Sequence, residues 1–412
     1  MRKTVAAIVL CWSCALNAQP VKPQQYRQDF EFFWQTIHDN YSYFDTKQTD
    51  WNNVRERYAP IADTVSSRSS FVALLEKVLY ELYDHHCTLG TNTPISRRLV
   101  PTGADIWAEY DKNGVAKIIE VRKGFGAENS GIMAGMEIVA VNDAPVDKAI
   151  VPFLAHTIDP EAKNFALRLL LAGDHVTKRK ITARYKNKTI DFYPDRDGMM
   201  LENFSYSTLV ESKQFGKTGY IRVNNCLFDN DLIKAFDSVL NLYSKSSAII
   251  LDLRETPSGG NSSVARAILG RFISKAKFYQ QHEYVAEEKE TGIKRSWQEI
   301  VSPRPPVYDK QLVVLADHWT GSMGEGIVIG FDGMKRSTTI GTKLARLIGA
   351  TNSFELPNTH ISFHIPVEKL FHIKGSPREH FFPLIPVDLA AQRTGNDSIL
   401  QRALLFLQAR PH

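Results

Sequence analysis

Two apolar runs, each closed by a polar glycine turn and followed by a helical pattern, constrain this chain more than any other feature. The first is SAIILDLRET, then PSGGN and the helical SSVARAILGRFIS. The second is QLVVLADHW, then a short turn around Ser322 and another apolar helix. Both read as buried strands, because apolar residues fill them without polar alternation. GYIRVNN and DNDLIKAFDSVLNLYSK add a strand and a helix ahead of them. Strand–helix alternation from Thr218 predicts a mostly parallel sheet layered with helices. STTIGTKL and HISFHIPVEKL finish the region, and the polar, proline-bearing YVAEEKETGIKRSWQEIVSPRPPVYDK reads as an excursion or loop.

Upstream the texture differs. From Gln24 to about Tyr83 the pattern is helical, with Phe30, Phe33, Trp34 and Ile37 on one face. Asp50 and Ser69 or Ser70 are the expected N-caps of the later helices. Strand-like sequence follows in ADIWAEYD, AKIIEVRKG, EIVAVNDAPV and RKITARYKNKTIDFY, where Lys186-Asn187-Lys188 suits a hairpin turn. The glycines of GFGAENSGIMAGMEIVAVNDAPV fit a dinucleotide-binding loop poorly, since a strand rather than a long helix comes next. This stretch instead resembles the PDZ pattern, with Met136 and Asp143 as departures from it. The resemblance implies a β domain that binds chain termini by adding a strand to its sheet edge.

A length of 412 residues with 43% hydrophobic and 23% charged residues suits two or three domains with ordinary cores. The net charge is +5, of which Arg2 and Lys3 supply two. No Lys/Arg cluster with interleaved aromatics is present, so nothing argues for a nucleic-acid partner. MRKTVAAIVLCWSCALNAQP reads as a secretory signal ending near Ala18. Its apolar run is too short to span a bilayer. Cys11 and Cys14 lack the small residues that a lipid-anchoring box needs before them. The expected location is periplasmic or extracellular. Cys87 and Cys226 then remain; they are free to pair in an oxidising compartment but read more readily as buried thiols.

A serine on a turn between a buried strand and a helix has the exposure a nucleophile needs. The helix points free N–H groups, and the positive end of its dipole, at the same spot. Gly321 and Gly324 allow close approach. The turn is not a Gly-x-Ser-x-Gly elbow, because Thr320 takes the first glycine position, and Glu325 stands where Ser-x-x-Lys would carry lysine. Alone, Ser322 reads equally well as a helix N-cap. The second glycine turn, LDLRETPSGGN, favours the nucleophile, since its amides would supply one oxyanion donor and Met323 N–H the other.

Taken together these stretches resemble the serine peptidase superfamily of the C-terminal processing proteases, the tricorn core and the interphotoreceptor retinoid-binding proteins. DLR-x-x-x-x-GGN resembles that family's Asp-Leu-Arg-x-Asn-x-Gly-Gly-Asn, and TGSMGE its nucleophile turn. LYDHHCTL resembles Leu-x-Asp-x-His-Thr-x-Leu, and IGTKLARLIGA the strand and glycine turn after the nucleophile helix. The resemblance implies Ser322 as nucleophile, His86 as general base and Gly259 or Gly260 with Met323 as oxyanion donors. In the processing branch a lysine serves as base. Its position here is Leu347, and Lys343 falls on a non-catalytic place, so the tricorn-like branch fits better. That branch adds a late glutamate, which GSPREHFFPLIPVD places at Glu379, to orient the histidine or a polar relay. The implied fold is α/β and β: signal 1–18, helical domain 19–97, PDZ-like domain 98–200, and a layered α/β, crotonase- or Clp-like peptidase core 201–412. The implied partner is a polypeptide, with no cofactor and no membrane span; oligomeric state is not implied.

Other readings attach to single residues. Adjacent His85 and His86 are potential metal ligands, but no His-Glu-x-x-His is present. His360 and His364 fall on one face of an expected strand, as a metal pair or, more readily, a satisfied surface pair. Glu325 either positions the turn or is a first-turn acid favoured by the dipole. Asp252 and Arg254 suggest a structural pair. Arg346, where the pattern carries glycine, would narrow the cleft or contact a substrate carboxylate. The same superfamily also holds members that bind hydrophobic ligands and cleave nothing, which leaves a binding protein as the alternative to an enzyme.

Overall fold

A computed structural model describes residues 21–196, 205–389 and 396–409. The expected signal, with Cys11 and Cys14, lies outside the described residues. Three helices open the fold: α1 (Pro23–Asn40), α2 (Trp51–Ala62) and α3 (Arg68–Tyr80). The apolar stripe of α1 is buried as its spacing predicts. Asp50 caps α2 through its side chain. Ser67, rather than Ser69 or Ser70, caps α3, because its oxygen reaches the amide of Ser70. Trp34 and Trp51 each donate an indole N–H to the other's carbonyl, joining α1 to α2.

The helices lead into β1 (Thr88–Leu89) and then a middle unit. That unit comprises β2 (Ile106–Tyr110), β3 (Ala116–Val121), α4 (Gly126–Asn129), β4 (Glu137–Val141), β5 (Ala144–Pro145), α5 (Val146–Ala149), α6 (Pro160–Ala172), β6 (Ile181–Tyr185) and β7 (Lys188–Phe192). Its strands run in the order β2-β3-β4-β6-β7, with β5 on β4. Lys186 and Asn187 turn the β6–β7 hairpin, both at positive φ, as a two-residue hairpin requires. A buried Arg179 ties the unit together, bonding Asp105 at 2.7 Å and Asp195 at 2.7 Å.

The last part supplies β8 (Val210–Phe215), β9 (Thr218–Val223), α7 (Asp231–Leu242), β10 (Ala248–Asp252), α8 (Ser262–Gly270), β11 (Lys277–Tyr284), α9 (Val285–Thr291), β12 (Arg295–Val301), β13 (Gln311–Ala316), α10 (Met323–Gly333), β14 (Thr338–Gly341), β15 (Ala350–Glu355), β16 (Ser362–Phe371), β17 (Ile385–Pro386) and α11 (Ser398–Gln408). One sheet runs β17-β14-β13-β10-β9-β8, parallel except for β8 on β9. The five residues of β10 are all buried, the burial that an unalternating run demands.

The stretch read as an excursion or loop carries regular structure. Tyr284–Lys310 contributes α9 and β12, and β12 pairs with β11 in a second, antiparallel sheet of order β1-β16-β11-β12, with β15 on β16. Burial alternates from Trp297 to Val301, but Glu299 is on the inward face and Ile300 on the exposed one, so polarity does not follow it. His360 also lies before β16 at positive φ, bonded to Glu355, so it does not share a strand face with His364. Cys87 and Cys226 are free and buried.

Several contacts join the N-terminal segment to the last part, two of them central. β1 pairs with β16, Thr88 opposite His364. Asp29, fully buried on α1, accepts bonds from the amides of Asn358 (3.0 Å) and Thr359 (2.8 Å) and from the Thr359 hydroxyl (2.6 Å). A buried carboxylate is tolerated only when so satisfied.

Candidate active site

The turns after β10 and β13 lie against each other. Gly321 N–H donates to Thr256 O at 3.2 Å, and Thr320 Oγ1 donates to Leu253 O at 3.1 Å. A Cβ on Gly321 would come within 2.6 Å of Pro257 O, so only glycine lets the turns touch. Gly259 is doubly constrained. Its φ is +68°, and a Cβ there would stand 2.5 Å from Ser322 Cβ and 3.1 Å from Met323 N.

Ser322 is half-buried at φ +48°, ψ −109°, a sparsely populated conformation for a residue with a side chain. Strain of this kind persists only where the surroundings over-determine it. Here Glu325, fully buried, accepts Ser322 N–H at 2.8 Å and Leu347 N–H at 3.2 Å on one oxygen, and Arg346 N–H at 2.9 Å on the other. Burial pushes the Glu325 carboxyl up to about 7, against the pull of Arg378 and of the amides. Arg378, 2% exposed, donates to Ser322 O at 3.2 Å and to Leu347 O and Gly349 O. Glu325 thus positions the turn and is more than a dipole partner.

The strip Ala345–Gly349 connects the Ser322 turn to His86. Ala345 N–H donates to Thr320 O at 3.1 Å, and Ile348 O lies 2.8 Å from His86 Nδ1. A carbonyl accepts only, so Nδ1 carries the proton and Nε2 keeps its lone pair. Burial lowers the His86 pKa, opposed by the Ile348 bond and by Asp84. Asp84 accepts His86 N–H at 2.9 Å and Tyr41 O–H at 3.0 Å, fixing the loop. His85 turns the other way and stacks on Phe165 of α6, ring centroids 4.4 Å apart. The two histidines therefore do not face a common ion, and among the described residues no group of three or more His, Cys, Asp or Glu could hold a metal.

Of the two glycine amides, Gly259 N–H is committed to Thr256 O at 3.1 Å. Gly260 and Met323 N–H meet no acceptor among the described residues. Glu379 sits in a single turn of 3-10 helix, with Oε2 buried and without a partner. It makes no bond to His86, whose orienting partner is the Ile348 carbonyl. Its charge bears instead on Tyr43 and Glu325. Leu347, at the position of the processing branch's lysine, is buried, and Lys343 lies 4.0 Å from Glu109. Sequence reasoning did not single out Arg378, Tyr43 or Asp84; the run Arg378-Glu379 and the aspartate of DHH were the available signals.

The middle unit holds both turns. Glu120 on β3 meets His318 Nδ1 at 2.5 Å and accepts the Thr342 hydroxyl at 2.7 Å. Arg122, two residues on, pairs with Glu255 at 2.8 Å, and Trp319 Nε1 donates to Ala104 O at 2.7 Å. Asp252 and Arg254 do pair, joined by Asp397.

Comparison with known proteins fits this arrangement. Residues 22–80 match the family described as Tricorn protease C1 domain, and residues 217–380 match Peptidase family S41. No curated protein matches the sequence. Among solved structures, mature CPAF is 15% identical with a TM-score of 0.61, covering 89% of this chain and 94% of that one. The photosystem II D1 C-terminal processing protease is 16% identical with a TM-score of 0.56, covering 91% and 96%. At these identities the likeness speaks for the fold.

Proposed function

We propose that this chain, a serine-type peptidase of family S41, is a secreted or periplasmic endopeptidase with Ser322 as nucleophile and His86 as general base. The observation that carries this reading is the strip Ala345–Gly349, which bonds the nucleophile turn at one end and His86 Nδ1 at the other. His86 Nε2 takes the Ser322 proton as Oγ attacks the scissile carbonyl, then returns it to the leaving amine. The Ile348 carbonyl holds the tautomer and stabilises the imidazolium. Gly260 N–H and Met323 N–H receive the oxyanion. Glu379, through its field at Tyr43 and Glu325, acts as the distant member of the constellation.

The middle unit reads as PDZ-like, but strand addition to β2 would compete with bonds already made. Asn164 Oδ1 accepts Tyr110 N–H at 2.8 Å, and Trp319 takes Ala104 O. In this conformation its part is to hold the catalytic turns, and chain-end recognition requires it to shift. No helix among the described residues is long and apolar enough to cross a membrane.

The test is a fluorophosphonate probe with an unstructured protein substrate. Wild type labels once per chain and cleaves, and Ser322→Ala and His86→Ala do neither at comparable rates. A folded wild type that neither labels nor cleaves overturns the reading and favours the ligand-binding alternative. The histidine also sets a pH profile. Because burial lowers its pKa, kcat/KM rises with pH through a step below 6.5 and is flat across neutrality. A rate controlled by a step well above 7 would contradict His86 as base.

A further inference from the structure

We propose that Arg346 selects substrate, binding a carboxylate of the peptide beside the scissile bond. This rests on the peptidase reading and names the chemistry its cleft prefers.

Arg346 is the exposed member of a strip whose neighbours Ala345 and Leu347 are buried. Its amide shares the Glu325 carboxylate with the amide of Ser322, which fixes its backbone next to the nucleophile. Its φ is +59°, a region that suits glycine. An arginine held there is an outlier whose location points to function.

The side chain is held but not neutralised. Nε donates to Glu379 O at 3.1 Å, and the guanidinium makes no ion pair among the described residues. The acids around it are otherwise engaged. Glu161 on α6 pairs with Arg168 at 2.8 Å, and Glu379 offers its backbone carbonyl while its Oε2 is buried. Both terminal nitrogens of Arg346 are left for a ligand. A planar fork of N–H donors matches a carboxylate, with two parallel bonds, better than any other common peptide group. The carboxylate comes from an Asp or Glu side chain or from the chain end.

The experiment compares quenched peptides in matched pairs. In one set Asp is walked through the positions flanking the cleaved bond, against Asn at the same place. In the other, the peptide ends in a free acid or an amide. Wild type is expected to favour the acid of one set by roughly tenfold or more in kcat/KM, the set that responds naming the source. In Arg346→Gln the ratio falls to about one, and in Arg346→Glu it inverts toward the neutral member of the pair, Asn or the amide. Equal rates on both members of every pair in wild type, or a preference that survives Arg346→Gln, overturns the proposal. The same pairs are titrated by fluorescence anisotropy against Ser322→Ala with and without Arg346→Gln. An acid preference in that binding, lost with the arginine, supports the assignment even where the wild type proves not to cleave.

Discussion

Ser322→Ala is expected to lower kcat/KM by roughly 10⁴-fold or more, His86→Ala by a similar factor, and the double variant no further. The reason is that the two groups act as one unit. Without Oγ there is no acyl-enzyme for the imidazole to assist, and without Nε2 the hydroxyl is a poor nucleophile at neutral pH. Residual hydrolysis then comes from the oxyanion donors alone, which neither substitution touches. Steady-state rates on one peptide, measured on all four proteins at equal folded concentration, decide it. Multiplying losses in the double variant would mean that His86 and Ser322 act in separate steps.

Glu325→Ala is the second large effect, and it falls on stability and catalysis together. The substitution strands three amides, those of Ser322 and Arg346 in part-buried positions and that of Leu347 in a buried one. At about 1–3 kcal/mol for each unsatisfied group, the expected loss is about 3–5 kcal/mol, read from denaturant unfolding. Ser322 would also be released from its positive-φ conformation, and kcat should fall by roughly 10²-fold even where the variant stays folded. Linkage adds a pH signature. The folded carboxyl titrates near 7 and the ordinary value is 4.5, so the folded state holds the extra proton between these limits. Stability therefore declines as pH rises from 4.5 to 7, and Glu325→Gln flattens that decline. An alanine variant that is as stable and as active as wild type would remove Glu325 from the turn.

Much of this was legible in the chain because local signals agreed. Unalternating runs such as Ala248–Asp252 announce doubly buried strands, and the apolar stripe of α1 announces its packed face. The glycine turns were legible for the same reason: Gly259 and Gly321 are needed where backbones meet. What escaped depends on partners distant in sequence. β12 is recognisable only once β11 lies beside it, since Glu299 stands on its inward face and Ile300 on its exposed one. The orienting partner of His86 is a backbone carbonyl, and every residue has one, so no side-chain pattern marks Ile348. Arg378 serves three carbonyls on two segments, a role its neighbours in sequence do not suggest.

The joining of β1 to β16 and of Asp29 to Thr359 has a consequence for biogenesis. The proposed general base, His86, is carried by the first quarter of the chain, and the bond that orients it comes from a residue 262 positions later. A nascent chain shorter than 348 residues lacks that bond. Contacts of such span are late and slow to form, so hydrolytic competence arrives only with the finished fold. On that reading the topology itself delays activity until the two distant parts of the chain have met.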